Sequence, residues 1–201
     1  MHGGRLCART RPGSAYTPEP RVNLDALFHI LGEAGKLSGH KDFVVIGSLS
    51  ILGLEADFDI PKDMAMSNNV ACYTRNDPDR IFELVGALGE HSKYHEKSGF
   101  YLDAVGPNLA TLPEGWKNRL IKVERNTLRV WFLDPNDAAV SKYARGEPRD
   151  IRWIRAGMRA GVVSLPIVQA RMRSTTFIDH EEQRKSKALV EADRAWVKSL
   201  R

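Results

Sequence analysis

Two short strand-like runs flanking a Gly-Ser step constrain this chain more than any other feature. Phe43-Val44-Val45-Ile46 is a continuous apolar run that stops at Gly47-Ser48, and Met66-Ser67-Asn68-Asn69-Val70-Ala71-Cys72-Tyr73 supplies the second run. Apolar runs of this length, bounded by turn-forming residues, are read as buried strands. On the second strand Asn69 and Ala71 lie two residues apart and so share one face. A Gly at the end of the first strand allows close backbone approach, and a Ser beyond it opens the following helical segment with a hydroxyl and a backbone N–H.

The remainder of the chain extends this pattern. Asn23 is placed to cap a helix carrying Leu24, Leu27, Phe28 and Leu31 on one stripe, with Gly35 and Gly39 as stops. Pro78 sits as the first residue of a helix with Ile81, Phe82, Leu84, Val85 and Leu88. Three further strands are expected at 100–105, 120–124 and 128–133, the last two joined by the turn Arg125-Asn126-Thr127. From Pro135 the apolar period changes from that of a strand to that of a helix, giving helices at 135–145, 148–160, 164–173 and 179–200, the last with Asp179 and Glu182 at capping-box spacing. The expected fold class is α/β (α+β): a mixed sheet with flanking helices and a helical C-terminal part. The expected division is an irregular, disordered basic arm over 1–22, a core over 23–134 and a helical C-terminal region over 135–201.

Composition excludes several classes. No run approaches the roughly 18 to 20 apolar residues that cross a bilayer. The N-terminus lacks the apolar centre of a secretory signal, so a soluble protein of the cytoplasm is expected, with no membrane partner. Cys7 and Cys72 are the only cysteines, which excludes a disulfide framework. The formal charge of +5 is modest, but Arg145, Arg149, Arg152, Arg155, Arg159, Arg171 and Arg173 gather in the last third. Arg152, Arg155 and Arg159 recur at helical spacing, which fits either a solvated helix face or, with Arg171 and Arg173, a surface that tracks RNA phosphates.

The stretch from Leu24 to Thr175 resembles bacterial DUF6036-type nucleotidyltransferases, relatives of the AbiEii toxins within the polymerase-β-like superfamily. The residues that carry the likeness are Phe43 to Ser48, Met66-Ser67 with the strand behind them, and the long segment Phe132-Leu133-Asp134-Pro135-Asn136-Asp137-Ala138-Ala139-Val140-Ser141-Lys142-Tyr143-Ala144-Arg145-Gly146-Glu147-Pro148-Arg149-Asp150. The resemblance implies transfer of a nucleoside monophosphate from an NTP to a hydroxyl of RNA, tRNA above all, or of a protein, with Mg²⁺ as cofactor and a cognate antitoxin as partner. It implies that Gly47 and Ser48 bind phosphates, that Asn69 and Ala71 occupy the two metal-carboxylate positions, and that Asp103 is the third carboxylate. Lys142 would face the triphosphate, supported by Arg149 and Asp150.

Asn69-Val70-Ala71 stands where that family pattern has Asp-x-Asp. An ionised Asp offers two anionic oxygens to a metal, Asn one neutral carbonyl oxygen and Ala none, so metal affinity should collapse and the chain should turn over weakly or not at all. Deliberate silencing of a harmful enzyme and natural degeneration both fit. So does a non-catalytic module that binds nucleotide or RNA, antitoxin-like in role. Read without the resemblance, Asp103 is a turn-binding or solvent-facing strand residue, Lys142 an exposed helix lysine, and Asp150 a favourable charge at a helix start. His91 and His95 fall in a turn region without zinc-site spacing; Trp116, Trp131, Trp153 and Trp196 read as packing residues, and Cys72 as a small buried side chain.

Overall fold

A computed structural model describes residues 22–55 and 57–200. The irregular arm expected over 1–22 lies outside them apart from Val22, which is buried in the core. Helix α1 (Leu24–Ser38) starts where Asn23 Oδ1 accepts the Ala26 N–H at 2.8 Å. It runs through Gly35 and stops at Gly39, whose φ of 76° is the left-handed cap that glycine favours. Gly35 is retained inside the helix because a Cβ there would lie 2.8 Å from the His40 carbonyl oxygen.

Strands β1 (Asp42–Val45), β2 (Asn69–Thr74), β3 (Tyr101–Ala104), β4 (Ile121–Arg125) and β5 (Leu128–Phe132) form one mixed sheet in the order β3-β2-β1-β5-β4. The β1–β5 and β2–β3 pairs are parallel, whereas β1–β2 and β4–β5 are antiparallel. Ser48–Leu54 follows β1 as a 3₁₀ helix, and Gly53 packs so closely on β5 that an added Cβ would lie 2.6 Å from Phe132 Cβ.

One local expectation is refined and one is corrected. The helix anticipated from Pro78 is a 3₁₀ segment, Pro78–Leu84, that becomes helix α2 only over Val85–Leu88. Its buried residues Ile81 and Leu84 are three apart, the 3₁₀ period, while Phe82 and Val85 are exposed. The region of His91 and His95 is not simply a turn but contains helix α3 (Lys93–Ser98), capped by the Ser92 side chain and ended by Gly99 at φ 78°.

Helices α4 (Pro135–Arg145), α5 (Pro148–Arg159), α6 (Leu165–Met172) and α7 (His180–Ser199) close the chain within two residues of the expected bounds. Two buried carboxylates knit them together. Asp137 on α4 receives Arg119 at 2.9 and 3.1 Å and Arg171 of α6 at 3.0 Å. Asp193 on α7 accepts the Tyr143 hydroxyl and the Arg155 Nε–H, both at 2.7 Å. The buried apolar residues form one cluster from Leu27 on α1 through the sheet to Val190 on α7. Among the described residues no helix is long and apolar enough to cross a membrane.

Candidate functional site

The C-terminal end of β1 decides where the site forms. Gly47 has φ 78° and ψ −154°, a combination open in practice only to glycine. It turns the chain away from the sheet directly beside β2: the Ile46 N–H still bonds the Ala71 carbonyl at 2.9 Å, and a Cβ on Gly47 would touch Ala71 Cβ at 3.5 Å. Ser48 is thereby delivered toward α4 as the strand ends.

A cleft of about 500 Å³ opens at this point. Gly47, Ser48, Asn69, Ala71 and Asp103 line one side; Ser141, Lys142, Arg145 and Arg149 line another; Leu109, Thr111, Ile178 and Glu182 complete its wall. The sheet register sets Ala71 opposite Asp103, so the three expected metal positions do share one face. The fold thus brings Gly47, Ser48, Asn69, Ala71, Asp103, Lys142 and Arg149 to a single cleft.

Lys142 is not an exposed helix lysine. Its side chain is 5% exposed, its Nζ donates to Ser48 Oγ at 2.8 Å and stands 3.4 Å from Asp150 Oδ1, and it lies 4.7 Å from the centroid of the Trp153 ring. Asp150, fully buried, has a closer partner in Arg145 Nε at 2.7 Å and also caps the Glu147 N–H, as the third residue of a capping box. Burial alone would raise the Asp150 pKa, but the Arg145 hydrogen bond and the Lys142 charge outweigh it and hold the carboxyl below its ordinary range. Because Arg145 has the better geometry, Lys142 is only partly compensated, and desolvation lowers its pKa to about 8.

Trp153 does more than pack: its indole N–H donates to the carbonyls of Met64 at 3.0 Å and Ser48 at 3.3 Å, fixing the segment after Gly47. Cys72 points away from the cleft chemistry; it is buried, and burial pushes its thiol pKa up, away from nucleophile character.

The acidic side is sparse. Asn69 turns its amide N–H to Asp103 Oδ2 at 2.7 Å, and its carbonyl oxygen accepts the Ser67 hydroxyl. Both polar ends of Asn69 are therefore used within the protein, and Asp103 is the lone carboxylate of the three positions. Among the described residues no group of three or more His, Cys, Asp or Glu side chains converges as a metal site. The residues present do not fit a two-metal centre, which requires several anionic oxygens around hard cations.

The glycine-serine step, the neighbouring strand positions and the lysine helix meet in one cleft, and the matched family profile, described as a nucleotidyltransferase of unknown function, spans residues 25–201. The chain belongs to the DUF6036 family. Neither the curated proteins nor the solved structures compared with it gave a match. In this DUF6036 chain the arginine-rich third divides in two. Arg155 and Arg171 are committed to Asp193 and to Asp134 and Asp137, and so act within the fold. Arg152, Arg159 and Arg173 are exposed, Arg159 lying 5.0 Å from the Trp196 ring centroid.

Arg145, Thr111, Ile178 and Glu182 are among the cleft residues to which the sequence assigned no site role. Arg145 was legible in principle, since it follows Lys142 by three residues on one helix face. Thr111 and Glu182 are joined by hydrogen bonds at 3.1 and 3.2 Å across a separation of 71 residues, for which no local signal exists. Ile178 is brought in by its backbone N–H, bound to Glu182 Oε2 at 2.7 Å.

Proposed function

We propose that this chain is a nucleotide-binding DUF6036 protein whose phosphate-binding half is complete and whose metal-binding half is not. The observation that carries this reading is the pairing of Lys142 with Ser48 across the cleft from a lone Asp103. Lys142, Arg145 and Arg149 give the cleft three cationic side chains, while the Ser48 hydroxyl and the backbone after Gly47 suit phosphate oxygens. An NTP is the ligand that this charge pattern favours.

With Asp at positions 69 and 71, the same cleft would hold Mg²⁺ beside the triphosphate and transfer a nucleoside monophosphate to a hydroxyl, in a toxin-like reaction. In the present chain Asn69 donates where a metal ligand must accept, so transfer is weak or absent. Among acceptors, RNA is favoured over a protein hydroxyl by exposed Arg152, Arg159 and Arg173, which suit phosphate tracking. A non-catalytic module, antitoxin-like or partner-regulated, is the second reading; it is favoured by the closed Ser67–Asn69–Asp103 network, which satisfies itself without a cation.

The test sets this chain beside an Asn69→Asp, Ala71→Asp variant, each incubated with four labelled NTPs, Mg²⁺ and total tRNA or cell lysate. Label transfer by the double variant alone supports an enzyme lacking its metal ligands. A folded, Mg²⁺-binding double variant that transfers nothing refutes the transferase reading for these acceptors and leaves the binding module.

A further inference from the structure

We infer that the cleft wall formed by Leu109, Thr111, Ile178 and Glu182 is a nucleobase pocket that selects bases bearing an exocyclic amino group. The inference rests on the nucleotide reading above and adds to it which nucleotides are taken. The wall belongs to the same cleft as Ser48 and Lys142, so a nucleotide with its phosphates at the lysine can extend its base along it.

Two properties of the wall suit a base. Leu109 and Ile178 are 69% and 80% exposed, the latter the most exposed large apolar side chain among the described residues, and both line this cleft. Large apolar side chains left in water at the edge of a cleft gain by covering a flat aromatic ligand. Beside them stands a fixed acceptor. Glu182 Oε2 takes the Ile178 N–H at 2.7 Å, and the single Thr111 hydroxyl proton is shared between Oε2 at 3.2 Å and Oε1 at 3.1 Å. Oε1 thus retains accepting capacity, and a carboxylate can only accept.

This anchoring has a structural origin. Asp179 caps α7 by accepting the Glu182 N–H at 2.7 Å, but Glu182 does not return the bond to Asp179; it reaches to Ile178 instead. The capping-box spacing of Asp179 and Glu182 is therefore spent on holding an apolar residue and a carboxylate side by side at the cleft. Adenine, cytosine and guanine each offer an exocyclic N–H to such an acceptor. Uracil presents carbonyl oxygens on both sides of its ring N–H, and these oppose a carboxylate.

The test is metal-free equilibrium binding of ATP, GTP, CTP, UTP and inorganic tripolyphosphate to the full chain and to Glu182→Gln and Ile178→Ser. The wild type should bind at least one amino-bearing NTP about tenfold or more tighter than UTP, the size expected for a hydrogen bond to a charged group. Glu182→Gln should abolish that ranking and Ile178→Ser should weaken all four NTPs, while tripolyphosphate affinity stays unchanged in both and reports an intact fold. Equal affinity for UTP and the amino-bearing NTPs, or variants that leave the NTP ranking untouched, would overturn the selective base pocket while sparing the phosphate site. If neither NTPs nor tripolyphosphate bind, both the pocket and the nucleotide reading fall.

Discussion

Lys142 carries its charge in a buried place that disfavours it. Desolvation lowers its pKa to about 8 from an ordinary 10.5, so the cation is fully present only below about pH 8. Nucleotide affinity should therefore be highest below that pH and decline as pH rises through it, a step that Lys142→Met removes along with most of the affinity; titrations of ATP across pH 6.5 to 9.5 check this. The stability contribution has the opposite sign. Between about 8 and 10.5 the unfolded chain holds the proton that the folded chain has lost, so this group makes stability rise with pH over that window, and Lys142→Met should flatten the rise in urea unfolding. At the neighbouring turn, Gly47→Ala forces an L side chain to φ 78° and should cost about 1–3 kcal/mol in the same experiment.

The C-terminal helices are tied to one another by buried carboxylates more than by surface pairs. Asp193 is 1% exposed and accepts from both Tyr143 on α4 and Arg155 on α5, so Asp193→Ala leaves a hydroxyl and a guanidinium without their partner. A loss of about 3–5 kcal/mol is expected, read by denaturant unfolding, with α7 amides losing hydrogen-exchange protection first. Most elements were legible beforehand because their ends are chemically marked: Asn23 before α1, Pro135 and Pro148 at the starts of α4 and α5, Asn126 in the turn between β4 and β5. Helix α3 carried comparable marks in Ser92 and Gly99, but with no buried residue of its own it shows no apolar period to be read. The Pro78 segment is helical as expected, but its 3₁₀ start was not legible, because burial at three-residue spacing is shared by 3₁₀ and α-helices over so short a length.

At the scale of the molecule, the side of the cleft proposed to bind phosphate was legible because its parts are contiguous: Gly47-Ser48 in one strand turn, Lys142 to Asp150 across one helix junction. The opposite wall was illegible because Thr111 and Glu182 meet only through the tertiary fold. At the positions proposed for metal, Asn69 is a donor to Asp103 and no carboxylate faces it from position 71. Placing Asp at both positions crowds three carboxylates, so the Asn69→Asp, Ala71→Asp variant should melt lower than this chain without divalent metal and recover with Mg²⁺, by about 2.7 kcal/mol at a hundredfold excess over its Kd. The most direct measurement is calorimetric titration of an NTP into this chain with Mg²⁺ and again with EDTA. Binding of equal strength in both conditions is the predicted result, since lysine and arginines rather than a metal hold the phosphates; binding that appears only with Mg²⁺, or in neither condition, would contradict it.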